Sequence, residues 1–145
     1  MIESIYIIDQ NSGIPLFTMD LIEVDKSEKI DQNLFSGFLK AIDDLSEETR
    51  SERIDEIRLA STRIVYVKGI ISNMKILFIS ISDLQDKLKT IKTILHKVAD
   101  AFEQQFGDKI STFKGNVRIF EPFSINVREI INLDIGFSEE VITIK

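Results

Sequence analysis

A lone histidine, His96, pairs of neighbouring acids such as Asp43-Asp44, and a complete lack of cysteine bound the chemistry this chain can perform. Imidazole is the one side chain that ordinarily titrates near neutrality, so His96 is the first candidate for acid-base work. It lies about 100° around a helix from Leu95 and off the apolar stripe to which that leucine belongs, which points it towards solvent. One histidine with no cysteine does not make the usual zinc site, and there is no thiolate nucleophile. The patterns GxxxxGK[ST], GxGxxG and GxSxG are absent, so the phosphate loop, the dinucleotide turn and the nucleophile elbow are not available. Adjacent acids in a helix diverge by about 100°, and Asp43-Asp44 therefore do not converge on one substrate. These residues argue for no catalytic centre, no metal and no cofactor.

The 145 residues suit one compact core spanning 1–145, and no stretch reads as a linker. With 18 Lys plus Arg against 24 Asp plus Glu, the net charge of −6 opposes a general affinity for nucleic acid or anionic lipid. Lack of cysteine is compatible with a reducing cytoplasm. The apolar opening, "IYIIDQNSGIPLF", is expected to belong to the fold. Glu3 stands where a secretory leader needs positive charge and Asp9 interrupts the run, while a membrane span requires about 20 apolar residues. The chain is read as soluble and unprocessed, without direct membrane insertion.

As structure, that opening is a hairpin. Asp9 to Gly13 concentrates turn formers between two β-rich runs. Ile5 to Ile8 are apolar on both faces, which suits an inner strand, whereas Pro15 suits a strand start or an edge. Phe17, Met19 and Leu21 alternate with Thr18 and Asp20 along the second strand. Asp31 is a candidate N-cap for a first helix carrying Leu34, Phe38, Ala41, Ile42 and Leu45. Those five lie within roughly 100° of arc, and Phe35 and Leu39 widen it to about 160°, more than one sheet contact needs. Either the fold buries most of this helix, or Phe35 and Leu39 lie on its margin and meet a partner.

Residues 43–56 then hold Asp43, Asp44, Glu47, Glu48, Glu52, Asp55 and Glu56 against Arg50 and Arg53, a net of −5 (2 − 7). This run reads as a solvated connection or as a docking surface for a basic partner. Three strands follow, about Ile54 to Ala60, Arg63 to Lys68 and Met74 to Ile81, with Lys68-Gly69 and Ser72-Asn73 as turn signals between the last two. "MKILFISIS" should be central and covered on both faces. Ser82 with Gln85 three residues on has the capping-box form, and Leu84, Leu88, Ile91, Leu95, Val98, Phe102 and Phe106 form one helical stripe that Gly107 should terminate. Glu121-Pro122 opens a third helix with Phe123, Val127, Ile130 and Ile131 on its apolar side. The last residues, 136–145, can add a strand, extend the helix or stay loose.

The expected order is β-β-α-β-β-β-α-α: an α+β fold with a meander of five antiparallel strands, one helix on one face and two on the other. This order resembles the longin domain as far as about residue 135. The matching pieces are "IYIIDQNSGIPLF", "LFSGFLKAIDDLSEE", the strands ending in "ILFISI", the helix ending "AFEQQFGD", and "FEPF". The related roadblock fold begins with a helix that this N-terminus lacks. The resemblance implies a non-catalytic, cytoplasmic interaction module that is recruited to membranes through partners. Its partners would be a second longin-like chain, identical or different, and a small Ras-like GTPase in membrane-traffic machinery. It also implies pairing through the first helix and third strand, at positions Phe35, Leu39, Ile57 and Leu59. A purely structural homodimer and a roadblock-like GTPase regulator are the alternatives. No C-terminal SNARE helix or membrane anchor is evident, so a vesicle-fusion role in its usual form does not follow.

Overall fold

The computed structural model describes residues 1–22, 39–41, 44 and 56–144, the last stretch from 134 as backbone alone. The opening stretch forms β1 (Ile2–Asp9) and β2 (Pro15–Asp20), paired antiparallel with Ile7 opposite Phe17. Their turn is built as its residue types dictate. The Asp9 carboxylate accepts from the Asn11 amide and the Ser12 hydroxyl at 3.0 and 2.9 Å, and Gly13 takes a φ of 75°. Three more strands follow: β3 (Glu56–Arg58), β4 (Arg63–Ile71) and β5 (Met74–Ser82).

The five strands form one antiparallel sheet in the order β2-β1-β5-β4-β3. This corrects the single five-strand meander expected from sequence. Only β3, β4 and β5 follow one another, and the opening hairpin joins them by placing β1 beside β5, with Ile7 opposite Phe78. The physical reason is burial. β1 and β5 are apolar on both sides and take the inner positions, while β2, which starts at Pro15, and the short β3 take the edges.

The β4–β5 turn also differs from expectation. Lys68 and Gly69 are inside β4, and Ser72 and Asn73 alone turn the chain, with φ of 50° and 67°. Two consecutive positive φ values match the twist of the flanking strands in a two-residue hairpin. Gly69 leaves room for a ring: a Cβ there would stand 3.1 Å from Cε2 of Phe78.

Side chains alternate between two apolar layers. Ile5, Ile7, Val65, Ile76 and Phe78 face one side, Tyr6, Ile8, Ile64, Tyr66, Leu77 and Ile79 the other. The second side receives Leu39 from the helical residues 39–41 and 44, designated α1, where Lys40 and Asp44 pair at 2.6 Å across one helical turn. The first side is covered by α2 (Leu88–Ile110) and α3 (Phe123–Ile144). Helix α3 thus carries the previously open C-terminal residues on as helix. A 3-10 turn, Val117–Phe120, precedes it.

Both ends of α2 depart from the sequence signals. Ser82 is the last residue of β5, fully buried and paired with Ile2 and Arg63, so its capping-box pattern starts no helix. Instead Asp83 accepts the Gln85 amide at 3.0 Å, and Lys87 remains extended before the helix begins. At the other end Gly107 is simply passed, because Ile110 has a buried place to fill one turn later. The glycine that does take positive φ beyond this helix is Gly115, at 97°.

Ser80 faces the α2 side between Ile5 and Val65, and its fully buried hydroxyl finds no hydrogen-bond partner among the described residues. An unsatisfied buried hydroxyl costs stability, and alanine removes it without changing the shape of the site. Ser80→Ala is therefore expected to leave the urea midpoint unchanged or raise stability by up to about 1 kcal/mol. A loss of that size would show that the hydroxyl is satisfied in solution.

Candidate partner-binding surfaces

Of the four positions expected to meet a partner, Leu39 requires correction. It is 1% exposed and packs with Tyr6, Ile8, Ile64, Tyr66, Leu77 and Ile79, so it is a core contact between α1 and the sheet rather than part of a margin. Phe35 lies outside the described residues. Ile57 is half-buried against the same cluster, and Leu59 is 54% exposed just past the end of β3.

β3 is an edge strand: it bonds to β4, and its other side has no ladder partner among the described residues. Its sequence, Glu56-Ile57-Arg58, places opposite charges around a central apolar residue. Arg58 lies 3.8 Å from the Glu56 carboxylate and is well exposed. The next turn is closed by the Leu59 amide donating to the Thr62 carbonyl at 2.8 Å, which leaves the leucine side chain at the corner of the sheet.

Behind this edge Arg63 is 5% exposed, a cation that sequence reasoning treated only as the start of a strand. Its guanidinium donates to the Asp86 carbonyl, and its Nε lies 3.6 Å from Glu56. It ties the connection before α2 to the sheet. The Asp83 and Asp86 carboxylates of that connection meet the Met1 ammonium at 2.7 and 2.5 Å. Partial burial pulls the pKa of that ammonium down, yet the two aspartates outweigh it and the net shift is upward. Asp83 is held below the usual carboxylate range, first by the ammonium and then by the Gln85 amide.

The opposite edge of the sheet carries a groove that no sequence signal announced beyond Pro15 at the strand start. It has a volume of about 500 Å³ between β2 and residues 115–124, lined by Ile14, Leu16, Thr18, Val117, Glu121 and Ser124. Nearby, on the α1 face, the Ser4 hydroxyl donates to Asp20 at 3.0 Å. Burial, with the Asp20 carboxylate close by, pushes the Tyr6 phenol above its ordinary value. His96 is exposed on α2, as its spacing implied. Among the described residues no three His, Asp or Glu side chains gather as a metal site, and no helix is long and apolar enough to cross a membrane.

No protein-family model matches the sequence, and no curated protein does. Among solved structures the chain is similar to MglB of Myxococcus xanthus, with 13% identity over 77% of this chain and 81% of that one, at a TM-score of 0.41. A likeness at that level assigns no function. The α+β fold itself, five antiparallel strands with helices on both faces, stands on the geometry described above.

Proposed function

We propose that this chain is a non-catalytic interaction module that pairs edge to edge through β3, with a second copy or a chain of like architecture, and in that form binds a small Ras-like GTPase. The observation that carries the pairing is the edge Glu56-Ile57-Arg58, whose outer side has no ladder partner among the described residues. Two such edges meeting antiparallel around Ile57 set Glu56 of each copy opposite Arg58 of the other, which is what a two-fold interface requires. Ile57 and Leu59 supply apolar contact beside it. Support for a GTPase partner is the serial order of elements that resembles the longin domain, and membrane-traffic machinery follows from the same resemblance.

The test is solution mass by light scattering over a range of concentrations, for the natural chain and for Leu59→Glu and Arg58→Glu. Both side chains are exposed, so neither variant should change the unfolding midpoint by more than about 0.5 kcal/mol. The expected result is a dimer for the natural chain and a shift to monomer in both variants. A natural chain that is monomeric at every concentration removes self-pairing and leaves pairing with a different chain. Variants that dimerise as strongly as the natural chain place the interface elsewhere.

A further inference from the structure

Charge is unevenly spread along this molecule. Residues 87–97 contain Lys87, Lys89, Lys92, His96 and Lys97 with no acid, so this stretch carries +4 and the remainder of the chain −10 (−6 − 4). The lysines occupy the outward side of α2 and the residue before it: Lys87, Lys89 and Lys97 are exposed and Lys92 half-exposed, while Ile91, Ile94, Leu95 and Val98 of the same turns are buried. Helix stability does not explain this placement. The first turn of α2 holds no acid, and cations there oppose the positive end of the helix macrodipole.

Two exposed apolar side chains lie at the same end of the molecule. Leu84 is 37% exposed and Met1 55%, and the pairing of Ile2 with Ser82 brings both to the end of the sheet where α2 begins. Among the described residues, the carboxylates found there, Asp83 and Asp86, are turned towards the Met1 ammonium, and Lys87 and Lys89 are the lysines nearest this end.

We propose that this end makes peripheral contact with an anionic lipid bilayer, the α2 lysines meeting the headgroups and Leu84 reaching the headgroup layer. Charge complementarity selects an anionic surface, and two observations favour lipid over an acidic protein. All four cations are lysine, which protein interfaces deplete in favour of arginine, whereas acidic headgroups attract lysine and arginine alike. The surface is also a convex helix, which a fluid bilayer can follow; the groove described above lies at the far edge, beside β2. The apolar side of α2 is already buried on the sheet, so the helix does not embed, and the contact is superficial and sensitive to salt. Nothing in this proposal depends on pairing through β3.

The experiment is co-sedimentation of the full chain with phosphatidylcholine vesicles, with and without phosphatidylserine, at low and raised sodium chloride. Binding is expected only with phosphatidylserine and should fall as salt rises. The triple variant Lys87→Gln, Lys89→Gln, Lys92→Gln should lose at least about tenfold in partitioning while keeping its circular dichroism spectrum. Leu84→Ser should bind more weakly with its salt dependence unchanged. Equal binding to both vesicle types, or a triple variant that binds like the natural chain, overturns the proposal. So does a natural chain that ignores vesicles but binds polyglutamate through the same lysines, because the patch then serves an acidic polypeptide.

Discussion

Phe102→Ala should cost the protein about 3–5 kcal/mol, a large share of the ~5–15 kcal/mol by which a domain of this size is ordinarily stable. Phe102 is fully buried on α2, and its ring meets four others: Phe78 of β5 at 5.9 Å, Phe106 at 5.2 Å, and Phe120 and Phe123 at 5.3 Å each. These come from the sheet, the same helix, the 3-10 turn and the start of α3, so one ring joins every element on that face. Truncation leaves a cavity whose walls belong to separate elements and cannot collapse together, and it forfeits aromatic contacts worth about 0.5–1.5 kcal/mol each beyond area. The thermal midpoint should fall by roughly 10 °C. Phe113, half-buried with its ring 5.4 Å from Phe120, is the internal control, and Phe113→Ala should cost only about 1 kcal/mol. Equal losses at the two positions would mean that the aromatic layer is not organised around Phe102.

Much of this layer was legible in advance because helix periodicity and proline placement are local. Phe102, Phe106 and Phe123 fall on predicted stripes. Phe120 does not, because its 3-10 turn has no period long enough to read, and its burial depends on Phe106 approaching from a different helix at 5.1 Å. The strands were legible for the same reason and their order was not. Turn residues report which neighbours in sequence pair, whereas the contact between Ile7 and Phe78 joins positions whose local patterns say nothing of each other. The capping-box pattern at Ser82 failed because β5 needed that residue to finish its ladder with Ile2 and Arg63, and tertiary pairing outweighs a cap of about 1 kcal/mol.

The candidate surfaces divide along the same line. That a third strand exists could be read from its residues, while its edge position came only with the longin resemblance; a buried arginine could not be read, since Arg63 is buried where Asp86 and Glu56 arrive from other elements. Net charge misled in a different way, by averaging +4 at the start of α2 against −10 elsewhere. The two proposed surfaces are geometrically independent. A two-fold axis perpendicular to the sheet is what antiparallel edge pairing demands, and it returns each face to the same side. Pairing through β3 would therefore keep both α2 helices on one face of the joined sheet while turning their lysine-bearing starts to opposite ends, so each copy would meet a bilayer separately.

Leu39→Asp separates the core role of this residue from the marginal role its spacing suggested. A helical stripe of about 160° reveals how wide the apolar side is but not where its centre meets the sheet. The structure buries Leu39, 1% exposed among Tyr6, Ile8, Ile64, Tyr66, Leu77 and Ile79. Removing the leucine alone should cost about 2–5 kcal/mol, and a carboxylate in its place adds desolvation, so the total should be roughly 4 kcal/mol or more near neutral pH. The pH dependence gives a second readout. Burial raises the folded-state pKa of the introduced carboxyl above its unfolded value, so the folded state holds the proton more tightly. Stability of the variant relative to the natural chain must then fall as pH rises from the ordinary aspartate range through the raised value. Leu39→Ala, which introduces no titrating group, should show no such slope. A variant that keeps its midpoint within about 0.5 kcal/mol, shows no pH-dependent loss and changes only its solution mass would return Leu39 to the surface and move the pairing interface from the β3 edge onto the helix.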